Sequence, residues 1–94
     1  KMPIGISVRY DKPFRNHKIQ LHKDDMLYIF SDGYMDQFGG EHRKKFGFRR
    51  FRELLVEIHK KPVQEQRDIL NKAIIDWKGN FDQIDDIMVM GIRI

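Results

Sequence analysis

Two short acidic stretches carry most of the chemistry this sequence can offer. The apolar run MLYIF, residues 26–30, ends in Ser31-Asp32-Gly33, and DQIDD places Asp85 and Asp86 just before a second apolar run, IMVMGIRI. If the two runs are neighbouring antiparallel strands, the end of one lies beside the start of the other. Asp32 and Asp85 would then share one edge of the sheet. Carboxylates gathered on a rigid edge repel each other unless a cation lies between them, and oxygen-only ligation suits hard divalent ions such as Mg2+ or Mn2+. Gly33 permits a sharp turn and leaves room for a hydrated ion or a phosphate, and Asp36 stands one loop turn further on, where an outer contact is expected. Taken singly, Asp32-Gly33 also reads as an ordinary turn after a strand, and Asp85-Asp86 as a loop cap. The joint pattern is the more specific signal. An EF-hand calcium loop would need alternate oxygen ligands and a glycine that are missing here, and an Asp-x-Asp-Gly nucleophile would fall on Phe30.

The elements that must position these carboxylates follow from the hydrophobic pattern. IGISV (4–8) reads as a short strand, and RNHKIQL (15–21) as an edge strand with Ile19 and Leu21 on one face. His22-Lys23-Asp24-Asp25 is a hairpin-like connection into residues 26–31, whose continuous apolar run is that of a central strand. After a glycine-rich loop the period becomes helical, with Phe48, Phe51, Leu55 and Ile58 on one face. Pro62 breaks that helix and opens a second, with Val63, Leu70, Ile74 and Trp77 as its apolar stripe and polar residues, glutamines among them, opposite. Gly79-Asn80 stops it, and residues 87–94 form the last strand. The order β-β-β-α-α-β predicts an α+β fold with a mainly antiparallel sheet and two helices.

Length and composition bound the rest. The 94 residues make one domain or part of one, and 40% hydrophobic content with seven Phe is that of a globular chain. No cysteine is present, which excludes disulfides and Cys-based zinc sites and fits a reducing compartment. No apolar run approaches the roughly 20 residues that span a bilayer, and the opening KMPIGISVRY has no signal-peptide character.

The net charge is +4, and the basic residues concentrate in HRKKFGFRRFR, residues 42–52. Such a segment, with Phe46, Phe48 and Phe51 between its cations, could bind a phosphate backbone with stacking, or an anionic membrane. The competing reading has the phenylalanines in the core and Arg49, Arg50 and Arg52 in solvent, because Phe51 shares a stripe with Leu55 and Ile58. Between the two stands a role for Arg49, Arg50 and Arg52 in recruiting substrate. His17, His22, His42 and His59 lack paired ligand spacing and read as surface residues, and Trp77 is expected to pack on the sheet.

DDMLYIFSDGYMDQFGG, KFGFRRFRELL and DQIDDIMVMGIRI, in that order and spacing, resemble the C-terminal half of a SpoIIE-type domain. These domains are bacterial members of the metal-dependent PPM (type 2C-like) serine/threonine phosphatases. The resemblance runs from about Pro3 to the end and implies part of an αββα sandwich. It implies that Asp32 and Asp85 ligate one ion of a binuclear Mn2+ or Mg2+ centre, with Gly33, Asp36 and Asp86 in its neighbourhood. The implied reaction is metal-assisted hydrolysis of phosphoserine or phosphothreonine by water, without a phospho-enzyme. The implied setting is the output module of a larger bacterial signalling protein, with sensor or response-regulator modules upstream in the same chain. Its substrate would be a phosphorylated regulatory protein, for example an anti-sigma-factor antagonist, with no nucleic acid expected. The location would be cytoplasmic, or at the membrane where the parent protein is anchored.

Two departures accompany the resemblance. The family's further metal-bridging Asp, next to a Gly, belongs to its N-terminal half and has no counterpart here. Met88 also stands where Thr is common. The 94 residues alone are therefore expected to be inactive and, with core surface exposed, to self-associate. A non-catalytic binding module using the basic helix for nucleic acid or acidic partners, or a pseudo-phosphatase scaffold, is the alternative.

Overall fold

The computed structural model describes residues 4–8, 22–83 and 85–94. The element order is β1 (Ile4–Val8), β2 (Met26–Phe30), α1 (Gly33–Asp36), β3 (Phe38–Gly39), β4 (Lys44–Lys45), α2 (Phe48–Ile58), α3 (Val63–Lys78) and β5 (Val89–Arg93). The edge strand expected at residues 15–21, and His17 with it, lie outside the described residues.

β2 is the middle strand of a sheet ordered β1-β2-β5. β1 runs parallel to it, while β5 runs antiparallel with Phe30 opposite Val89 and Met26 opposite Arg93. β3 and β4 form a separate antiparallel hairpin where the sequence reads as a loop. Two-residue strands carry almost no periodicity, so the hairpin leaves no trace in the hydrophobic pattern. The architecture is α+β, and two of the three strand pairings among the described residues are antiparallel.

Strand alternation sends Met26, Tyr28 and Phe30 to one face, where all three are fully buried against the helices. Phe51 of α2 meets the Phe30 ring edge-on at 4.7 Å and the Tyr34 ring at 4.8 Å. Leu55, Ile58, Leu70 and Ile74 complete this core. Before β2, the His22–Asp25 turn closes through Asp25 N–H to the His22 carbonyl and His22 N–H to the Asp25 carboxylate, with Asp24 at φ 72°. Main-chain bonds to Ile94 tie this turn to the end of β5.

The helical stripes differ from expectation at both N-terminal ends. Phe48, the first residue of α2, is 46% exposed and only flanks Phe30, at 6.5 Å between rings. Val63 is exposed, and Gln66 takes its place in the core at 3% exposure. A buried amide is tolerated because its hydrogen bonds are complete. Tyr28 Oη donates to Gln66 Oε1 at 2.6 Å, and Gln66 Nε2 donates to the carbonyls of Lys61 and His59. His59 is likewise not a surface residue: it is 9% exposed at the C-cap of α2. Pro62 is the N-cap of α3, so the helix begins at Val63, one position after the expected start, and Gly79 ends it at φ 52° with its N–H on the Ile75 carbonyl.

Trp77 packs on the β3–β4 hairpin rather than on the three-stranded sheet. Its indole N–H donates to the Gln37 carbonyl at 2.9 Å, and its carbonyl accepts from Gly40 N–H at 3.0 Å. A Cβ on Gly39 would lie 1.8 Å from the Trp77 carbonyl oxygen, so only glycine fits there. Among the described residues no helix is long and apolar enough to cross a membrane.

Candidate functional site

The end of β2 and the entry to β5 meet through the residue between the strand and Asp32. Ser31 N–H donates to the Met88 carbonyl at 3.0 Å, continuing the β2–β5 ladder past its last regular pair. Its hydroxyl donates to the Asp86 carbonyl at 2.9 Å and accepts from Met88 N–H at 3.0 Å. One side chain thus fastens the Asp85–Asp86 loop to the strand that carries Asp32. The main-chain groups of Met88 are occupied in this way, so the loop register is held without a Thr hydroxyl at that position.

Gly33 completes the junction in a different way from the open approach expected of it. It is buried, and a Cβ there would stand 2.0 Å from the Asp86 carbonyl oxygen. The Asp86 main chain fills that space, so glycine is required for the two loops to touch. The sequence expectation that two aspartate segments converge on one sheet edge is therefore met at the level of backbone.

The carboxylates are differently engaged. Asp32 is half-buried at the N-cap of α1, and its side chain makes no capping bond. Asp85 is exposed; its Oδ1 accepts the Asp86 N–H at 2.8 Å and its carbonyl accepts the Gln83 amide at 3.0 Å, which folds the loop back on itself. Asp86 is also exposed. Asp36 N–H donates to the Asp32 carbonyl at 2.9 Å, and its carboxylate pairs with Lys45 Nζ at 3.5 Å. Asp36 thus faces the hairpin's charge.

Asp32 and Asp85 suit a hard cation as two oxygen donors on a braced edge. Among the described residues no three His, Cys, Asp or Glu side chains gather closely enough to hold an ion by themselves. The donor set is therefore partial.

Beneath the edge, Tyr34 directly follows Gly33 and donates to the Leu70 carbonyl at 2.8 Å, anchoring α1 to α3. Burial raises the pKa of its phenol and likewise pushes Tyr28 up to about 12, against the opposing influence of the Arg93 charge. Both remain neutral donors across the physiological range.

The three arginines considered for recruitment separate. Arg50 stacks 4.6 Å over the Trp77 ring and donates to the carbonyls of Phe46 at 3.0 Å and Lys45 at 3.3 Å. It is a brace for the hairpin. Arg49 pairs with Glu53 one helical turn away at 3.2 Å, and Arg52 is exposed on α2. Phe46 and Phe51 are buried, which leaves Phe48 as the exposed ring of the basic segment.

Ser31, Gln66 and the pairing of β3 with β4 are the features to which sequence reasoning gave no role. Only Ser31 had a usable signal, as a hydroxyl residue directly before the Asp-Gly pair.

Comparison with known proteins fits this geometry. Over 89% of its length the chain superposes on the SiaA-PP2C domain of Pseudomonas aeruginosa with a TM-score of 0.83 and 33% sequence identity. It spans 34% of that chain, about a third of its length. None of the curated proteins matches. The family model for stage II sporulation protein E matches residues 1–94, and the chain belongs to the SpoIIE family, with a PP2C-like fold.

Proposed function

We propose that this chain is the C-terminal part of a PPM-type phosphatase domain that removes phosphate from serine or threonine of a regulatory protein. The observation that carries this reading is the junction of Ser31, Gly33 and Asp86, which brings the Asp32 and Asp85 segments to one braced edge. Asp32 and Asp85 would hold one ion of an Mn2+ or Mg2+ pair, with Asp86 and Asp36 supporting the loops around it. When bound, the ions supply an activated water and neutralise the phosphoryl oxygens. The chain's own contribution is positional. Ser31 fixes the spacing of the two aspartate loops, Gly33 allows their close approach, and Tyr34 keeps the turn after Asp32 on α3. Further donors would have to come from outside the described residues. A cytoplasmic, cysteine-free signalling module acting on a phosphoprotein is consistent with this role.

The test is Mn2+-dependent hydrolysis of a phosphoserine peptide by the full-length protein, wild type against Asp32→Asn. Activity that collapses on substitution while the fold persists is the expected result. Wild-type protein that is inactive with both Mn2+ and Mg2+ would instead favour a scaffold that keeps the fold.

A further inference from the structure

The β3–β4 hairpin is strongly basic and tied to the carboxylate edge, yet it has no part in holding the ions. Residues 38–45 contain Arg43, Lys44 and Lys45 and a single acid, Glu41. We propose that the hairpin is a docking site for acidic residues flanking the phosphorylated side chain of a protein substrate. The proposal rests on the phosphatase reading and names a substrate feature for it.

Three observations carry it. The first is position. Lys45 Nζ reaches the Asp36 carboxylate at 3.5 Å, and the Asp36 N–H is bonded to the Asp32 carbonyl, so the hairpin begins one short helical turn from the candidate ligand. That path is roughly 10 Å long, from one helical turn plus the ion pair. An extended peptide covers it in about three residues.

The second observation is availability. Lys44, the neighbour of Lys45 on β4, is exposed. Arg43 is exposed as well, with its guanidinium 5.9 Å over the Phe81 ring.

The third observation is rigidity. Gly39 and Gly40 both press on Trp77, Arg50 stacks on the same indole, and Phe46 N–H donates to the Gln37 carbonyl at 2.9 Å. Cations on a braced hairpin select a charge pattern at a fixed distance from the reacting edge, whereas flexible lysines would attract any anion.

The experiment compares two phosphoserine peptides with the full-length protein and Mn2+. They are identical except that one carries Asp and Glu two to four positions from the phosphoserine and the other carries Asn and Gln. Wild-type protein should favour the acidic peptide by about fivefold in kcat/KM, the scale of exposed charge pairs, with the difference in KM. Lys44→Glu should abolish or invert that preference, and Lys44→Arg should keep it. Equal use of the two peptides by wild type, or a preference that survives both Lys44→Glu and Arg43→Glu, overturns the proposal.

Fluorescence anisotropy of the labelled acidic peptide separates this proposal from the phosphatase reading. Charge-dependent binding without hydrolysis keeps the hairpin site and sinks the reaction. Hydrolysis without peptide preference keeps the reaction and sinks the hairpin site. Tighter binding of a DNA duplex than of the peptide, lost in Lys44→Glu, assigns the surface to nucleic acid and also overturns the proposal.

Discussion

At the carboxylate edge Gly33 lies against the Asp86 carbonyl, and at the basic hairpin Gly39 lies against the Trp77 carbonyl. Both contacts join segments distant in sequence, and both leave no room for a Cβ. Around them the chemistry diverges. The edge is joined by a hydroxyl, Ser31, and presents acids; the hairpin is joined by an indole and a guanidinium, Trp77 and Arg50, and presents bases. Close backbone approach fixes where a loop sits, while the side chains beside it decide what the loop can bind. The Asp36–Lys45 pair links the two regions, so each bears on the placement of the other.

The comparison breaks most sharply at the glycines. Gly39→Ala and Gly33→Ala force a Cβ into main-chain atoms that no rotamer change can clear, and each is expected to cost about 3 kcal/mol or more in urea unfolding. The two should differ in consequence. Gly33→Ala should also reduce Mn2+ affinity by displacing the Asp85–Asp86 loop, whereas Gly39→Ala should act through the hairpin. A stability within about 0.5 kcal/mol of wild type for either variant would contradict the close approach.

Ser31→Ala comes next. It removes a hydroxyl that makes two hydrogen bonds across the junction, and a loss of about 1–2 kcal/mol is expected. Mn2+ affinity should also fall by about tenfold, as for other residues that orient metal ligands. Arg50→Ala should cost about 1 kcal/mol through the lost indole stacking and carbonyl bonds, with little change in Mn2+ affinity. A Mn2+ titration of both variants sharpens the contrast, because Ser31 acts on the edge and Arg50 on the hairpin.

The smallest effect is one of pH. Burial raises the Tyr28 pKa above its unfolded value of 10.0 to about 12, so the folded state holds the proton more tightly. The corresponding stability is fully present below pH 10 and is lost as pH rises through 12. Tyr28→Phe should flatten that alkaline decline in a stability-against-pH series. An unchanged decline would assign it to other groups.

The parts of this architecture that sequence made legible are those with a long period or a specific turn. β2 and β5 announce themselves as apolar runs, the α2 stripe as Phe51, Leu55 and Ile58, and the end of α3 as Gly79. The convergence of Asp32 and Asp85 followed from assuming one antiparallel pairing, and that pairing exists. A glutamine on a helix such as Gln66 reads as solvent-facing until Tyr28 and two carbonyls supply its partners. His59 reads as a surface residue for a related reason: no local spacing encodes the burial of a side chain at a helix C-cap. The hairpin is illegible in sequence because much of what holds it comes from Trp77, forty residues beyond the Gln37 carbonyl that its indole N–H reaches.

The most direct test of the central claim is a double-mutant cycle on Mn2+ affinity in the full-length protein, using Asp32→Asn, Asp85→Asn and the double variant. If both carboxylates hold the same ion, each single substitution should weaken binding by at least tenfold. The double variant should then lose much less than the product of the two losses. Full additivity of the two losses, or Mn2+ affinity unchanged in either single variant, would show that Asp32 and Asp85 share an edge without sharing an ion.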